Sequence, residues 1–378
     1  MSEPIVIIGS GFAAYQLIKT IRRSDVDTAI TVITADDGHD YNKPDLSHVF
    51  SKNQSVEDVI TAKAEEFAQS QNLTLLANHV VSKVDTSAKQ LVANDKAIAY
   101  SKLVLATGAS AFVPPIEGAN KQELLTLNSL KEFEQNRTKL ADANRVMVIG
   151  GGVIGVEVAL DLATAGKKVT LVEPNTQLMR AQLPEYVAFK LVQSLQDRSV
   201  RVITGKGVAS VSHQGAATSV GLSDGSWIEV DQILVSAGLR PNVQLAIDAG
   251  IEVNRGICVD STMQTSASDV YALGDCAEFE GMVRAYLQPT VISAVSLAKT
   301  LTGTPTQVKL PHAMVKVKTP SYPIQIGGRT DADSVSRWNF DILPEGIIAK
   351  GFDEQDKMVG FVATQDLTTK AFAMLREL

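Results

Sequence analysis

One ten-residue pattern occurs twice in this chain and limits its fold more than any other feature. Residues 5–14 read IVIIGSGFAA and residues 146–155 read VMVIGGGVIG, so Gly9 and Gly11 recur as Gly150 and Gly152. Each copy is a short β-branched run, a glycine turn, and then apolar residues at helical spacing. The first helical face carries Ala13, Ala14, Leu17, Ile18 and Ile21; the second carries Val153, Ile154, Val158, Ala159, Leu162 and Ala163. A further strand pattern follows each helix, at 29–34 and 168–173, and an acidic residue closes each, Asp36 or Glu173. A lone glycine turn after a strand arises by chance. Two copies in strand–turn–helix context, each with its acid, predict two βαβ units that bind dinucleotides.

Length and charge agree with that reading. A chain of 378 residues has room for two or three domains. With 35 Lys+Arg against 42 Asp+Glu, its net charge of −7 argues against a protein that coats phosphate backbones, so no nucleic-acid partner is expected. Two cysteines, Cys258 and Cys276, cannot build a disulfide scaffold and are too far apart for a CxxC redox pair. The five histidines lack cysteine or carboxylate company at ligand spacing, so no metal is expected. Met1-Ser2-Glu3-Pro4 leads straight into the first strand without a leader pattern, and no apolar run reaches membrane-spanning length. The expectation is a soluble, cytoplasmic protein.

Between the repeats the pattern predicts a helix over 56–69, strands near 73–76, 79–85 and 90–92, and a buried strand 102–108 ending in a glycine turn. Pro114 and Pro115 suit a linker. Strands are expected over 200–211, 218–222 and 228–235, bounded by turns at Gly205, Gly215 and Asp224-Gly225. Another buried strand, 269–275, ends in Gly274 and Asp275, and a helix follows over 289–301. From about Pro311 come strands at 314–318, 323–326, 346–351 and 358–363, then a last helix over 368–375. The expected class is α/β, with two Rossmann-like domains and a small α+β C-terminal domain. The expected boundaries are 1–112 with 240–312, 113–239, and 313–378.

At the first copy, Gly9 and Gly11 leave room for a pyrophosphate at a helix N-terminus, and Ala14 is small enough for close packing. Asp36 would accept from a ribose hydroxyl; Asp37 is equal by charge, and either can be a solvated turn residue. At the second copy, Gly150, Gly152 and Gly155 complete GxGxxG. Glu173 has no arginine directly after it, which favours NADH over NADPH. Glu157 is either a helix-terminus partner or a residue facing the nicotinamide. With two such sites, one dinucleotide is resident and the other visits, and a flavin suits the resident role.

Further motifs carry a resemblance that spans the chain. Ala106-Thr107-Gly108, Tyr271-Ala272-Leu273-Gly274-Asp275 and Ser236-Ala237-Gly238-Leu239-Arg240-Pro241-Asn242 resemble segments of the FAD-dependent pyridine nucleotide-disulfide oxidoreductases. The cysteine pair of the disulfide reductases is absent. In its place stands Tyr41-Asn42-Lys43-Pro44-Asp45-Leu46-Ser47, similar to the segment beside the flavin in ferredoxin and rubredoxin reductases. The resemblance implies non-covalent FAD and hydride transfer from NADH. It also implies one-electron delivery to rubredoxin or to the rubredoxin centre of a flavorubredoxin in nitric oxide detoxification. Reduction of another rubredoxin or ferredoxin is the alternative, and an NADH-sensing flavin-binding regulator is a third.

The resemblance also implies site residues. For FAD these are Gly9, Gly11, Phe12, Ala13, Ala14, Asp36, Lys43 (tuning the flavin), Pro44, Val81, Ala106, Thr107, Gly108, Gly274, Asp275, and Gln288 and Pro289 ahead of a helix. For NAD they are Gly150, Gly152, Val153, Ile154, Gly155, Glu157, Glu173 and Gly238. Cys276 reads as a buried structural thiol. Partner docking is expected on a basic run: residues 281–330 contain no Asp or Glu but carry Arg284, Lys299, Lys309, Lys316, Lys318 and Arg329. Of these, Lys316 and Lys318 share a strand face and, with Arg284, are the docking candidates.

Overall fold

The computed structural model describes residues 3–214 and 217–378. The expected turn at Gly215 and the Met1-Ser2 start lie outside the described residues. The helices are α1 (Phe12–Arg22), α2 (Ala64–Ser70), α3 (Leu130–Asp142), α4 (Val153–Thr164), α5 (Glu185–Asp197), α6 (Gln244–Asp248), α7 (Leu287–Leu301) and α8 (Ala371–Leu375). The chain divides into two units: 1–43, 57–110 and 239–311 form the first, and 44–56, 111–238 and 312–378 the second.

The first unit is built on a five-stranded parallel sheet in the order Val270–Ala272, Lys102–Leu105, Ile5–Ile8, Ile30–Ile33, Thr74–Leu76. The fingerprint strand Ile5–Ile8 is central and buried throughout, which is why it reads as an unbroken apolar run rather than an alternating one. On α1, Ala14, Tyr15, Leu17, Ile18 and Ile21 are buried, and α1 packs against α7. A three-stranded antiparallel meander (Val81–Asp85, Gln90–Ala93, Lys96–Ala99) completes this half.

The second unit repeats the plan. Its parallel sheet runs Leu124–Leu125, Gln232–Val235, Arg145–Ile149, Lys168–Glu173, Arg201–Thr204, again with the fingerprint strand in the middle. A three-stranded antiparallel layer (Val208–Gln214, Ala217–Leu222, Trp227–Val230) follows. The C-terminal region is a five-stranded antiparallel sheet in the order Met314–Val317, Ile324–Gly328, Met358–Thr364, Gly346–Phe352, Arg337–Leu343. Its Val317, Ile324, Ile326 and Val362 share one core with Leu140 of α3, Val156 of α4 and Leu191 of α5.

Four expectations change. The helix over 56–69 shrinks to α2. Ile60–Ala62 is instead a strand on Asp40–Tyr41, in keeping with the β-branched Val59-Ile60-Thr61 run, and α2 starts where Glu66 takes the Lys63 amide proton. The last helix is a 3₁₀ turn, Gln365–Lys370, leading into the short α8. Residues 44–56, expected in the first domain, pack with the second unit. Ile154, expected on the apolar face of α4, is 49% exposed. Among the described residues no helix is long and apolar enough to cross a membrane.

Candidate functional site

In the first unit the chain leaves Ile8 through Gly9 at φ +113°, where an added Cβ would stand 2.2 Å from the Ala106 carbonyl oxygen. Only glycine fits there. Gly11 caps α1 without a side-chain hydrogen bond; no acid sits in the first turn, and the space where its Cβ would be is open. The first amides of α1, at Phe12 and Ala13, therefore sit behind an uncovered glycine, an arrangement that accepts a pyrophosphate. Ala14 is wholly buried. The Gly274 turn comes close enough that a Cβ there would lie 2.6 Å from the Ala13 Cβ. Next to it, Asp275 Oδ2 is 3.6 Å from Lys43 Nζ.

The structure thus gathers Gly9, Ala13, Lys43, Ala106, Gly274 and Asp275 in one unit. Asp36 is exposed just beyond the second strand, and its amide donates to Thr34 Oγ1. Asp37, also exposed, accepts the His39 amide proton. Thr107 is engaged elsewhere: its hydroxyl donates to the Asn242 carbonyl at 2.7 Å, and the Asn242 side chain donates back to the Thr107 carbonyl at 2.8 Å. Gly108 takes φ +66° in that turn. Val81 opens the meander and packs, half-buried, on the core. Gln288 and Pro289 lie inside the first turn of α7 rather than ahead of it, with Gln288 exposed. Pro289 suits that place because a first-turn amide has no helical partner to lose. The open glycine cradle and the exposed strand-end acid fit an FAD.

In the second unit Gly150 has φ +108°, and a Cβ there would meet the Ser236 carbonyl oxygen at 2.5 Å. Gly152 caps α4 and faces open space, as Gly238 does, while a Cβ at Gly155 would reach 1.8 Å from the Gly150 oxygen. Val153 and Ile154 begin α4. Glu173 differs from its expected picture. It is buried; Oε2 accepts the Gly151 amide at 2.7 Å, and Oε1 accepts the Asn175 amide at 2.8 Å and its side-chain amide at 2.6 Å. The carboxylate therefore shapes the fingerprint turn. Arg180, passed over in the sequence, donates to Asn175 Oδ1 at 3.2 Å and so brings an exposed guanidinium beside this strand end. The open cradle at Gly152 and Gly238 fits a nicotinamide dinucleotide.

Glu157 is neither in the first turn of α4 nor exposed. It is 4% exposed and hydrogen-bonded to Ser47 and to the Lys318 amide. Lys318 is not a free surface charge: Nζ donates to the Pro44 carbonyl at 2.8 Å and stands 3.6 Å from Asp45. Arg284 pairs with Glu280 at 3.3 Å and lies over the Phe279 ring. Lys316 is exposed. Cys276 is fully buried, with Sγ 3.4 Å from the Leu105 and Leu273 carbonyls, and burial pushes its pKa up. Among the described residues no three His, Cys, Asp or Glu side chains cluster as metal ligands would.

Residues 3–300 match the family described as pyridine nucleotide-disulphide oxidoreductase, and residues 307–378 match the family described as rubredoxin binding C-terminal domain. The chain is 50% identical over all its 378 residues to the nitric oxide reductase FlRd-NAD(+) reductase of Aliivibrio fischeri, covering 99% of that protein. It is 43% identical over its full length to the protein of that name from Escherichia coli O157:H7, covering 100% of it. Among solved structures it is similar to a ferredoxin reductase for the CYP199A2 system from Rhodopseudomonas palustris, with TM-score 0.90, 25% identity, and coverage of 99% of this chain and 94% of that one.

Proposed function

We propose that this chain, which belongs to the pyridine nucleotide-disulphide oxidoreductase family, passes electrons from NADH through FAD to the rubredoxin centre of a flavorubredoxin that reduces nitric oxide. FAD is the resident cofactor and NADH the reductant. The observation that carries the reading is the full-length likeness to the FlRd-NAD(+) reductases, with a rubredoxin-binding C-terminal region on a chain that holds two dinucleotide fingerprints.

Bound FAD takes up a hydride and gives back its electrons one at a time, which is what joins a two-electron donor to a one-electron iron centre. The chain's part is to bind and orient. The uncovered amides behind Gly11 would hold the FAD pyrophosphate, and Asp36 would meet the ribose. Asp275 orients the ribityl chain. Lys43, paired with Asp275, would supply a positive charge toward a bound flavin. The amides behind Gly152 take the NADH pyrophosphate, in a turn that Glu173 holds in shape. Lys316, exposed like Lys299 and Lys309 of the same basic run, is available for contact with an acidic acceptor.

The test compares kcat/KM for a rubredoxin domain, the full flavorubredoxin and a ferredoxin, each with NADH. The reading expects either rubredoxin-type acceptor to exceed ferredoxin by at least about tenfold, or about 1.4 kcal/mol in transition-state binding. Ferredoxin as the better acceptor would shift the assignment to the ferredoxin reductases. NADH binding without electron passage to any acceptor would favour the regulatory reading.

A further inference from the structure

The turn that follows the Lys102–Leu105 strand is held from far along the chain by Asn242. Its amide donates to the Gly108 carbonyl at 2.9 Å, and its carbonyl accepts the Thr107 hydroxyl proton at 2.7 Å. Its side chain adds two more bonds. The NH₂ donates to the Thr107 carbonyl at 2.8 Å, and Oδ1 accepts the Ser110 hydroxyl proton at 2.7 Å. Asparagine suits the place because it carries a donor and an acceptor side by side. Aspartate would set an oxygen against the Thr107 carbonyl, and alanine would offer neither group. Either replacement keeps the two bonds made by the backbone of residue 242 and removes or spoils those of its side chain.

The turn depends on such a clasp. Gly108 sits in it at φ +66°, and glycine loses more freedom than any other residue when it is fixed. Ser110 and Asn242 are exposed, so water can replace their bonds and loss of the side chain strands no buried group. The clasp therefore acts on the order of the turn more than on global stability.

What the turn borders gives the clasp its consequence. The Ala106–Thr107 peptide is the wall against which the first fingerprint glycine lies. Measured from the Cβ position of Gly9, the Ala106 carbonyl oxygen is at 2.2 Å, its carbon at 2.9 Å and the Thr107 nitrogen at 3.6 Å. The sheet holds this wall on one side, where the Ala106 amide donates to the Ile8 carbonyl at 2.9 Å. Asn242 holds it on the other. All of these residues lie in the first unit.

We propose that Asn242 is a positioning residue for the FAD cradle: by clasping residues 107–110 it keeps the Ala106–Thr107 peptide against Gly9, and so keeps the glycine turn in the shape that accepts the pyrophosphate. The effect on the cofactor rests on the reading of Gly9 and Gly11 as the FAD site. The clasp itself does not, and the two are read separately.

The test uses FAD-loaded full-length protein. Amide hydrogen exchange in peptides covering 104–110 and 239–243 reads the clasp, and the rate of FAD release, followed by the rise in free-flavin fluorescence on dilution, reads the cradle. Asn242→Ala should raise exchange in both peptides by about fivefold or more, and Asn242→Asp should do at least as much. FAD release should quicken in both variants by about fivefold or more, while the Kd for NAD+ stays within about twofold of wild type. Ser110→Ala removes one bond of the clasp, so its exchange should rise by no more than about threefold. Unchanged exchange in Asn242→Ala would overturn the clasp. Faster exchange with FAD release unchanged would overturn its role at the cradle, and faster release with exchange unchanged would place Asn242 against the cofactor itself, which also overturns the proposal. If neither variant at 242 folds, Thr107→Val, which loses the hydroxyl bond and keeps the shape, carries the test by the same two readings.

Discussion

In the first fingerprint the turn is tied to the neighbouring strand by two hydroxyls, Ser10 and Thr34, 2.8 Å apart. In the second the tie is a hydrogen bond from backbone to carboxylate, with Glu173 Oε2 accepting the Gly151 amide at 2.7 Å. The difference follows from one residue. Ser10 has a side chain to offer, whereas Gly151 offers only its amide, and a Cβ there would press within 2.5 Å of Leu178. A buried carboxylate takes over the tie and is then largely used up. In the first copy the hydroxyl pair leaves the acid, Asp36, at the surface. Two turns with the same glycine code thus place their acidic residue differently: exposed at the strand end in one, and buried as a tie of the turn in the other.

The largest effects should come from the glycines that meet backbone. Gly9→Ala places its Cβ against the Ala106 carbonyl at a positive φ, so unfolding stability should fall by about 3 kcal/mol and the purified protein should lose FAD. Gly11→Ala meets no atom, so denaturant stability should change by no more than about 0.5 kcal/mol while FAD affinity falls. Equal loss of stability in both variants would erase the distinction between a packed and an open glycine.

The next effect separates the two acids. Glu173→Ala should cost about 2 kcal/mol of stability, because it strands the buried Gly151 amide. Asp36→Ala should cost less than about 0.5 kcal/mol and act on FAD affinity instead. Chemical denaturation of both, without added dinucleotide, decides it, and a larger loss for Asp36→Ala would reverse the assignment.

A smaller effect concerns Arg180. Its guanidinium stands beside Asn175, where a positive charge would favour a 2′-phosphate if one came within reach. Arg180→Ala should lower kcat/KM for NADPH severalfold and leave that for NADH within about twofold. If both fall together, Arg180 serves the turn rather than the 2′-phosphate. The smallest effect is at the cysteines. Cys258→Ser with Cys276→Ala should keep NADH-to-rubredoxin turnover within about threefold, since Cys276 is sealed in the core and its thiol is held protonated by burial. Near-complete loss in a folded, FAD-containing variant would restore a thiol relay.

What the sequence made legible was local. Strand, glycine turn and helix are consecutive, so IVIIGSGFAA and VMVIGGGVIG gave both central strands and both helix starts. The pairing order of the strands then follows from βαβ handedness and short connections. What stayed hidden depended on distant partners. Glu157 meets Ser47 and Lys318, 110 and 161 residues away in the chain, and no periodicity announces such a contact. The same distance concealed that Lys318 Nζ donates to the Pro44 carbonyl. Arg180 curls back to Asn175 over five residues of turn, where spacing rules written for extended strands do not reach. The 56–69 error had another origin: α2 is helical alone, and the β-branched residues before it found a strand to pair with.

The central claim is that one chain joins NADH to a rubredoxin centre through a resident FAD. The direct measurement is anaerobic rapid mixing of FAD-loaded protein with NADH and oxidised rubredoxin, following the flavin and iron–sulfur absorbance bands together. The account predicts that NADH bleaches the flavin band, that the rubredoxin band follows, and that about two rubredoxins are reduced for each NADH consumed. A flavin band that NADH bleaches while rubredoxin stays oxidised would contradict it.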